Sequence, residues 1–391
     1  MASILITGGA GFIGSHTGDA LLARGHRVRV LDNLEPQVHS GSDAFPEYLH
    51  PDIERVRGDV RDPIAVREAL DGIDAVFHFA ALTGVGQSMY ERERYEAVNG
   101  YGTLNLLDEM AKMRPRPIRL VLASSRAVYG EGSHRCPNCG IVHPSVRSRE
   151  AMERGEFGVS CPLCGRPAIP APTPERRPLK PISVYGQTKA WQEILCRSFA
   201  RDTGVSTVIL RYFNVYGSRQ SLQNPYTGIM SIFYSRIRDG QPVEIYEAGT
   251  PTRDFVHVSD AVQANVLALG ADVPPGMAIN VGTGVETSLR SVAESLPAAM
   301  GAPKTPIIDV DTFRLGDLHA CHANLGRARR LLGYVPRTSL DEGIREFVAW
   351  ADAEASVDLS QRAATELAEH GALVQAGRPK SARAAGPAAG T

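Results

Sequence analysis

The sequence predicts an α/β fold, a doubly wound parallel sheet joined to a smaller C-terminal lobe and interrupted by a small cysteine-bearing insertion. Three observations predict it. A glycine-rich turn joins an apolar strand to a helix in Ile4–Ser15, ILITGGAGFIGS. Short apolar segments then alternate with helical ones to about residue 210, the order of parallel strands with crossover helices. Two matched paired-cysteine turns, Cys136-Pro137-Asn138-Cys139-Gly140 and Cys161-Pro162-Leu163-Cys164-Gly165, break into that alternation.

In the first turn, Gly8, Gly11 and Gly14 leave out the Cβ atoms that would block a sharp bend and the close approach of a pyrophosphate to the backbone. A dinucleotide is therefore the expected ligand of Gly8, Gly11, Phe12, Ile13 and Gly14. A helix over Thr17–Arg24 leads to a strand, Val28–Leu31, which ends at Asp32, eighteen residues beyond Gly14. An acid at that place accepts hydrogen bonds from the adenosine ribose and repels a 2′-phosphate. Asn33, Leu34 and Glu35 supply no cation to receive one, so NAD is expected rather than NADP.

Residues 35–52 read as a polar loop and Ile53–Arg57 as a strand. Asp59, beside Val60, either accepts from the adenine amino group or caps a turn. A helix over 63–70 precedes the strand Ala75–Phe79, and the small residues of His78-Phe79-Ala80-Ala81 let a cofactor pass close to the sheet. A long helical pattern over 91–113 contains Asn99, which either faces solvent or anchors a network beneath the site. The strand Ile118–Ala123 ends at Ser124-Ser125.

Each CxxC can turn two thiolates inward, and 21 residues separate Cys139 from Cys161. Two such knuckles can complete a tetrahedral Cys₄ site, so Cys136, Cys139, Cys161 and Cys164 are expected to hold one structural zinc. The polar filling between them is too small for an independent core, and the metal would staple it. His134 and His143 are substitute ligands that four cysteines make unnecessary. A proline-rich connector, Ala168–Pro181, follows.

Ser183-Val184-Tyr185-Gly186-Gln187-Thr188-Lys189 is the expected chemical centre. Tyr185 and Lys189 lie one helical turn apart on the same face. Lys189, together with an oxidised nicotinamide, would favour the phenolate of Tyr185, and Ser125 can hydrogen-bond the reacting oxygen. An isolated tyrosine–lysine pair is commonly a surface aromatic and a solvated cation; the upstream dinucleotide turn and the serine-ended strand favour catalysis. The strand Val205–Leu210 leads to Arg211-Tyr212-Phe213-Asn214-Val215-Tyr216-Gly217, a ligand-facing connection, and to the polar loop 218–227. A helix over Ile229–Arg238 and a strand over Val243–Tyr246 come next. Arg253 is a candidate diphosphate clamp, since guanidinium makes paired charged hydrogen bonds, and Arg314 in Arg-Leu-Gly-Asp is another phosphate contact. Ile279–Gly282 reads as a short strand and turn, and a helix starts at Thr287 or Ser288. A helix ending near Trp350 closes the fold, with an extension to about Glu369 and disorder from Gly371 onward.

Bulk properties bound the class. Among 391 residues, 43% hydrophobic and 22% charged is ordinary for a globular protein. A formal net charge of -1 argues against a general polyanion binder. No apolar run is long enough to span a bilayer, and the N-terminus enters the first strand without a leader pattern, so a cytoplasmic protein is expected.

The ordered set GGAGFIG, HFAA, Asn99 with Gly102-Thr103, SSRAVYG, YGQTK, RYFNVYG, RDFVHV and RLGD resembles the extended short-chain dehydrogenase/reductase family, specifically its sugar-nucleotide epimerases, over about residues 2–350. The resemblance implies a Rossmann-type domain over 1–211, which the zinc-ribbon-like insertion read from the paired cysteines, 131–170, interrupts. It implies a lobe for the nucleotide-diphosphate sugar over 212–350 with some returning Rossmann elements, then a tail over 351–391, and a homodimer. It implies catalysis by Ser125, Tyr185 and Lys189. Gly8, Gly11, Phe12, Ile13, Gly14, Asp32, Asn33, Asp59, Val60, Phe79, Ala80, Ala81 and Asn99, with Tyr185 and Lys189, would hold or support NAD. Ser125, Arg126, Tyr185, Asn214, Arg253 and Arg314 would meet the sugar nucleotide. A narrower resemblance, to the dTDP-L-rhamnose 4-epimerases, rests on the paired-cysteine insertion after SSRAVYGEG and on QSLQNPYTGI at 220–229, which adds Gln220 and Asn224. It implies C4 epimerisation of a dTDP-linked 6-deoxyhexose, dTDP-L-rhamnose to dTDP-6-deoxy-L-talose, through a transient 4-keto sugar. His319 departs from the arginine expected after RLGD.

Four alternatives compete. A 4,6-dehydratase commonly has an Asp-Glu pair where this chain has Arg126 and Ala127. A ketoreductase, or a C4 epimerase of another sugar nucleotide, would share the fold, and the ketoreductase needs an exchangeable cofactor. A nucleotide-sensing or nucleic-acid-binding zinc protein is opposed by the Ser125, Tyr185, Lys189 set and by the absence of a basic stripe.

Overall fold

The computed structural model describes residues 1–226 and 228–377. The first half runs β1 (Ser3–Thr7), α1 (Phe12–Leu22), β2 (Arg27–Asp32), a short α2 (Pro36–His39), β3 (Glu54–Arg57), α3 (Pro63–Leu70) and β4 (Ala75–His78). Then come α4 (Arg92–Tyr95), α5 (Gly102–Lys112) and β5 (Arg119–Ser125). Asp62 starts α3 by accepting from the Ile64 amide, with Pro63 following it, as the orphan amides of a helix start require. The helix expected over 91–113 is divided: a π-helical turn, Glu96–Tyr101, lies between α4 and α5 and contains Asn99.

The insertion contains β6 (His134–Cys136), β7 (Gly140–Val142), α6 (Arg149–Glu153) and β8 (Ile169–Pro170). Its strands pair antiparallel in the order β7-β6-β8. Its own buried cluster is confined to Cys136, Val142, Cys161 and Ala168. Met152 and Phe157 pack outside it, on Phe313 and Ala376, so the insertion borrows its second core from the end of the chain.

The chain resumes with α7 (Val184–Thr203), β9 (Ser206–Tyr212), β10 (Asn214–Tyr216), α8 (Ile229–Arg238), β11 (Val243–Ile245), β12 (Thr252–Arg253) and β13 (Phe255–His257). It continues through α9 (Val258–Gly270), β14 (Met277–Val281), β15 (Thr287–Ser288), α10 (Leu289–Ala299), β16 (Ile307–Asp309), β17 (Thr312–Arg314) and β18 (Ala320–Cys321). The last elements are α11 (Gly326–Leu332), α12 (Leu340–Ala351), α13 (Ser360–Glu369) and β19 (Leu373–Gln375).

Seven parallel strands form the main sheet in the order β14-β9-β5-β4-β1-β2-β3. Both faces are buried: Ile4 and Ile6 join Val30, Phe77 and Val208 on one, while Leu5 joins Leu31, Val76 and Ile209 on the other. This is the period-two alternation of a strand covered on both sides. Each such fully buried side chain contributes about 1.5–3 kcal/mol. Strand order reverses at β1, where β2 and β4 flank it, and ligands of such sheets collect beyond the strand ends at that switch point. A smaller lobe packs around Met230, Phe233, Val243, Leu296 and Phe347. Among the described residues no helix is long and apolar enough to cross a membrane.

The tail departs from expectation. Helix α12 ends at Ala351, and α13 is a separate helix rather than its extension. Disorder from Gly371 is also incorrect for the described part: β19 pairs antiparallel with β17, joining Leu373 to Arg314 and Gln375 to Thr312. Backbone hydrogen bonds to a strand edge supply the order that an alanine-rich composition did not announce. The expected disorder over 378–391 lies outside the described residues, as does Thr227 of the loop 218–227.

Candidate active site

One cavity of about 860 Å³ opens at the carboxyl ends of the strands, lined by Gly8, Gly11, Phe12, Ile13, Gly14, Asp32, Asn33, Asp59, Val60, Phe79, Ala80 and Ala81 among others. Its glycine end is sterically fixed. Gly8 has φ +69°, and a Cβ there would lie 2.6 Å from the Ala80 amide nitrogen; one at Gly14 would lie 2.4 Å from the Gly8 carbonyl. Gly11 is the N-cap of α1 and supplies no side-chain acceptor, so the first amides and the positive end of the helix dipole are offered to an anion. Gly9, which sequence reasoning passed over, is needed for packing: its Cβ would strike Val30 at 2.4 Å. The Gly8-Gly9 doublet was the available signal.

Asp32 ends β2 with its carboxylate already oriented, accepting from the Ala10 amide at 3.0 Å and the Leu34 amide at 2.9 Å. Asp59 fixes its turn and also lines the cavity. Its oxygens accept from the Arg61 amide at 2.8 Å and from Asn33 at 3.0 Å. Burial disfavours its charge, yet the hydrogen bonds from Arg61 and Asn33 hold its carboxyl below the usual range. These residues fit a dinucleotide: a cradle that a Cβ would fill, a helix start for the diphosphate and an oriented acid for a ribose.

At the centre, Ser125 closes β5 and its hydroxyl accepts from the Ala127 amide at 3.1 Å. Helix α7 begins against this turn. Ser183 caps it by accepting from the Gly186 amide at 3.1 Å, and a Cβ at Gly186 would lie 2.7 Å from the Ala127 carbonyl. Tyr185, in that first turn, is half-buried and lines the same cavity as Ser125. Burial raises its pKa, while the neighbouring Ser125 hydroxyl and the Arg126 charge pull it down. The Lys189 ammonium donates to the Ala123 carbonyl at 3.0 Å, and burial brings its pKa down to about 7. The Arg126 charge also acts on the phenol.

Asn99 does not face solvent. The π turn directs it inward, where Oδ1 accepts from the Leu82 amide at 2.8 Å and Nδ2 donates to the Leu82 carbonyl at 3.1 Å and to Thr188 at 3.0 Å. It ties a cavity-lining loop to the helix of Tyr185 and Lys189, the use to which π turns are often put.

Arginines dominate the far side. Arg126 donates to Asn214 at 2.8 Å, but its Nη1 is buried with no partner, and burial, then Arg253, lowers its pKa to about 10. Arg253 donates to Asp317 at 2.9 Å and to two backbone carbonyls. Arg314 lies over the Tyr246 ring at 4.9 Å with Nε unpartnered, as is Oε1 of Gln220. Asn224 accepts from Gln37 at 3.3 Å. All of these line the cavity. Sequence reasoning missed Asp317, although it stands in the quoted RLGD, and missed Ser360, Gln361, Ala364, Thr365 and Ala368, for which no local signal existed. His319, half-buried 3.7 Å from Glu247, joins a charge cluster with Arg147.

Outside the cavity, the thiol sulfurs of Cys136, Cys139, Cys161 and Cys164 lie within 4.8 Å of one another. Ligand bonds of about 2.3 Å to a tetrahedral zinc put sulfurs roughly 3.8 Å apart, so four free thiols at this spacing fit the ion. His134 and His143 are not among the gathered groups.

Residues 4–147 and 146–282 match the NAD dependent epimerase/dehydratase family. A dTDP-L-rhamnose 4-epimerase of Burkholderia thailandensis is 37% identical over 349 residues, 89% of this chain and 94% of that protein. Among solved structures, UDP-glucose 4-epimerase of Thermotoga maritima with UDP-glucose aligns with TM-score 0.73 and 30% identity, covering 90% of this chain and 98% of its own. The Thermus thermophilus UDP-glucose 4-epimerase complex with NAD aligns with TM-score 0.71 and 31% identity, covering 90% and 100%. A likeness that runs from the glycine cradle through the returning strand β14 exceeds what a shared nucleotide-binding half would produce, and the chain belongs to the NAD dependent epimerase/dehydratase family.

Proposed function

We propose that the protein interconverts the C4 epimers of a nucleotide-diphosphate sugar, with dTDP-L-rhamnose and dTDP-6-deoxy-L-talose as the pair. The observation that carries this reading is the meeting of Ser125, Tyr185 and Lys189 in one cavity lined both by the glycine cradle and by Arg126, Arg253 and Arg314. The dTDP-rhamnose assignment is supported by the likeness to the Burkholderia protein and by the residues 220–229. Arg126 and Ala127, where a dehydratase would place an acid–base pair, argue against water elimination.

The amides of the Gly8–Gly14 turn and α1 would hold the cofactor diphosphate, Asp32 the adenosine ribose and Lys189 the nicotinamide ribose. NAD, when bound, supplies the hydride acceptor and a positive charge. Tyr185 takes the proton from the C4 hydroxyl and later returns it. Burial keeps the phenol protonated until positive charge offsets it, which restrains proton loss to the loaded site. Ser125 aligns the reacting oxygen. Arg253 and Arg314 hold the diphosphate while the 4-keto sugar turns to present its opposite face, so the sugar ends with inverted C4 and no net oxidation. The four cysteines hold a structural zinc; they complete a tetrahedron and leave no open position for chemistry. We divide the chain accordingly into the Rossmann domain 1–211 with its insertion 131–170, the substrate lobe 212–350 and the C-terminal segment. Family likeness supports a homodimer.

The test is incubation with dTDP-L-rhamnose in D₂O without added cofactor, followed by proton NMR. The expected result is the C4 epimer with no deuterium in carbon. Failure with this sugar and with a panel of UDP-, GDP-, CDP- and other dTDP-sugars, with and without NAD, would refute the epimerase.

A further inference from the structure

The segment 360–377 is seated on four separate parts of the molecule. Leu367 packs over Gly86, where an added Cβ would lie 2.9 Å from its Cδ2. His370 stacks on Tyr90 with ring centroids 4.2 Å apart, and the Tyr226 hydroxyl donates to Glu366. Arg236 donates to the Ser360 hydroxyl at 2.9 Å. Beyond the helix, the Leu315 amide donates to the Ala372 carbonyl at 2.9 Å, and the Gly377 amide to the Glu153 carbonyl of the insertion at 2.7 Å. The segment is thus tied to the nucleotide-binding half, the substrate lobe, the strand of Arg314 and the insertion.

While Ala363 and Leu367 are buried, Ser360, Gln361, Ala364, Thr365 and Ala368 line the cavity. Their spacing is one stripe of a helix. The contacts define what this stripe faces. From the Arg314 guanidinium the wall passes to the Tyr246 ring at 4.9 Å, then by way of Glu244 to Arg236 at 3.3 Å and on to Ser360. In a nucleotide-diphosphate sugar, the groups beyond the diphosphate on the side away from the sugar are the ribose and the base.

We propose that α13 completes the nucleoside end of the site, the Gln361 amide and Thr365 hydroxyl hydrogen-bonding the edge of the nucleobase while Ala364 and Ala368 leave room for its ring. The inference rests on the sugar-nucleotide reading above. An amide carries a donor and an acceptor side by side, which matches a base edge that offers the same pair, and the short side chains of the stripe admit a flat ring.

The test is calorimetric titration of the full-length protein with dTDP, UDP, CDP, GDP and inorganic pyrophosphate, comparing the unaltered chain with Gln361→Ala, Thr365→Val and Leu367→Asp. Gln361→Ala and Thr365→Val should each weaken the tightest nucleoside diphosphate about three- to tenfold, as loss of one neutral hydrogen bond requires, and leave pyrophosphate affinity and NAD content unchanged. Leu367→Asp, which unseats the helix, should weaken it more than about tenfold. Unchanged nucleoside diphosphate affinity in all three variants, with normal binding by the unaltered chain, would overturn this proposal alone. A parallel loss of pyrophosphate affinity in Gln361→Ala and Thr365→Val would also overturn it, since that is the mark of a merely structural role. Failure of the unaltered chain to bind any nucleoside diphosphate would overturn it together with the sugar-nucleotide reading.

Discussion

Replacement of Asn99 by alanine should damage the site without touching a reacting atom. The side chain is fully buried and makes three hydrogen bonds, two to Leu82 and one to Thr188. Thr188 keeps a partner, since its hydroxyl also donates to the Tyr185 carbonyl at 2.9 Å. The Leu82 amide and carbonyl lose theirs. Both Leu82 groups are part-buried; at about 1.5 kcal/mol each, in the lower part of the range for a polar group left without a partner, the two put roughly 3 kcal/mol against the present position of the loop after β4. That loop lines the cavity from Leu82 to Gly86, and the lost Thr188 bond loosens the turn bearing Tyr185. If half to most of this penalty falls on the working geometry, turnover should drop about ten- to a hundredfold. The assay pairs steady-state epimerisation with NAD affinity and urea unfolding. Thr188→Val is the control and should cost less, because Leu82 retains both bonds. Turnover and NAD affinity equal to the unaltered enzyme in Asn99→Ala would refute the reasoning, whatever happened to stability.

Tyr185→Phe should lose about 10²–10⁴-fold in turnover with NAD content intact; ordinary turnover would exclude Tyr185 from proton transfer. Replacing Cys136 and Cys161 together by serine should abolish stoichiometric zinc in elemental analysis while the cavity-borne NAD remains, and unchanged metal content would remove the Cys₄ assignment. Glu193 accepts two bonds of 2.7 Å from Arg211 and one of 2.6 Å from Ser124. Burial opposes its charge, but the bonds and charge of Arg211 prevail and lower its pKa. A lowered folded pKa stabilises fully above the unfolded carboxylate value and is lost as pH falls through the folded one. Glu193→Gln should therefore cost about 3–5 kcal/mol at neutral pH and flatten the acid side of the stability profile, and parallel acid slopes for the two proteins in urea unfolding would contradict it.

Much of the site was legible because its parts are local. The cradle is a run of seven residues whose glycines answer to backbone sterics, and the Tyr185–Lys189 relation follows from helical period alone. Asn99 was found as a residue but its direction was not, since a π turn inside a continuous helical pattern leaves no mark in composition. The charges around Tyr185 were read incompletely for a related reason. Helical period puts Lys189 on the same face as Tyr185 but does not say that its ammonium will donate to the Ala123 carbonyl, or that the Arg126 charge, from another strand end, will also act on the phenol. The tail was misjudged at Gly371 because its order comes from pairing with β17, some 60 residues away in sequence.

By itself, the amino-acid sequence determined the parallel sheet, the glycine turn, the acid at the end of β2 and the four thiols. These depend on conformational freedom, side-chain period and ligand chemistry within a few residues. Only the tertiary structure decided that Asn99 turns inward, that the Lys189 ammonium meets the Ala123 carbonyl, and that α13 lies along the cavity. Each of those outcomes is a choice among partners distant in the chain, and burial and backbone hydrogen bonding across separate elements make that choice.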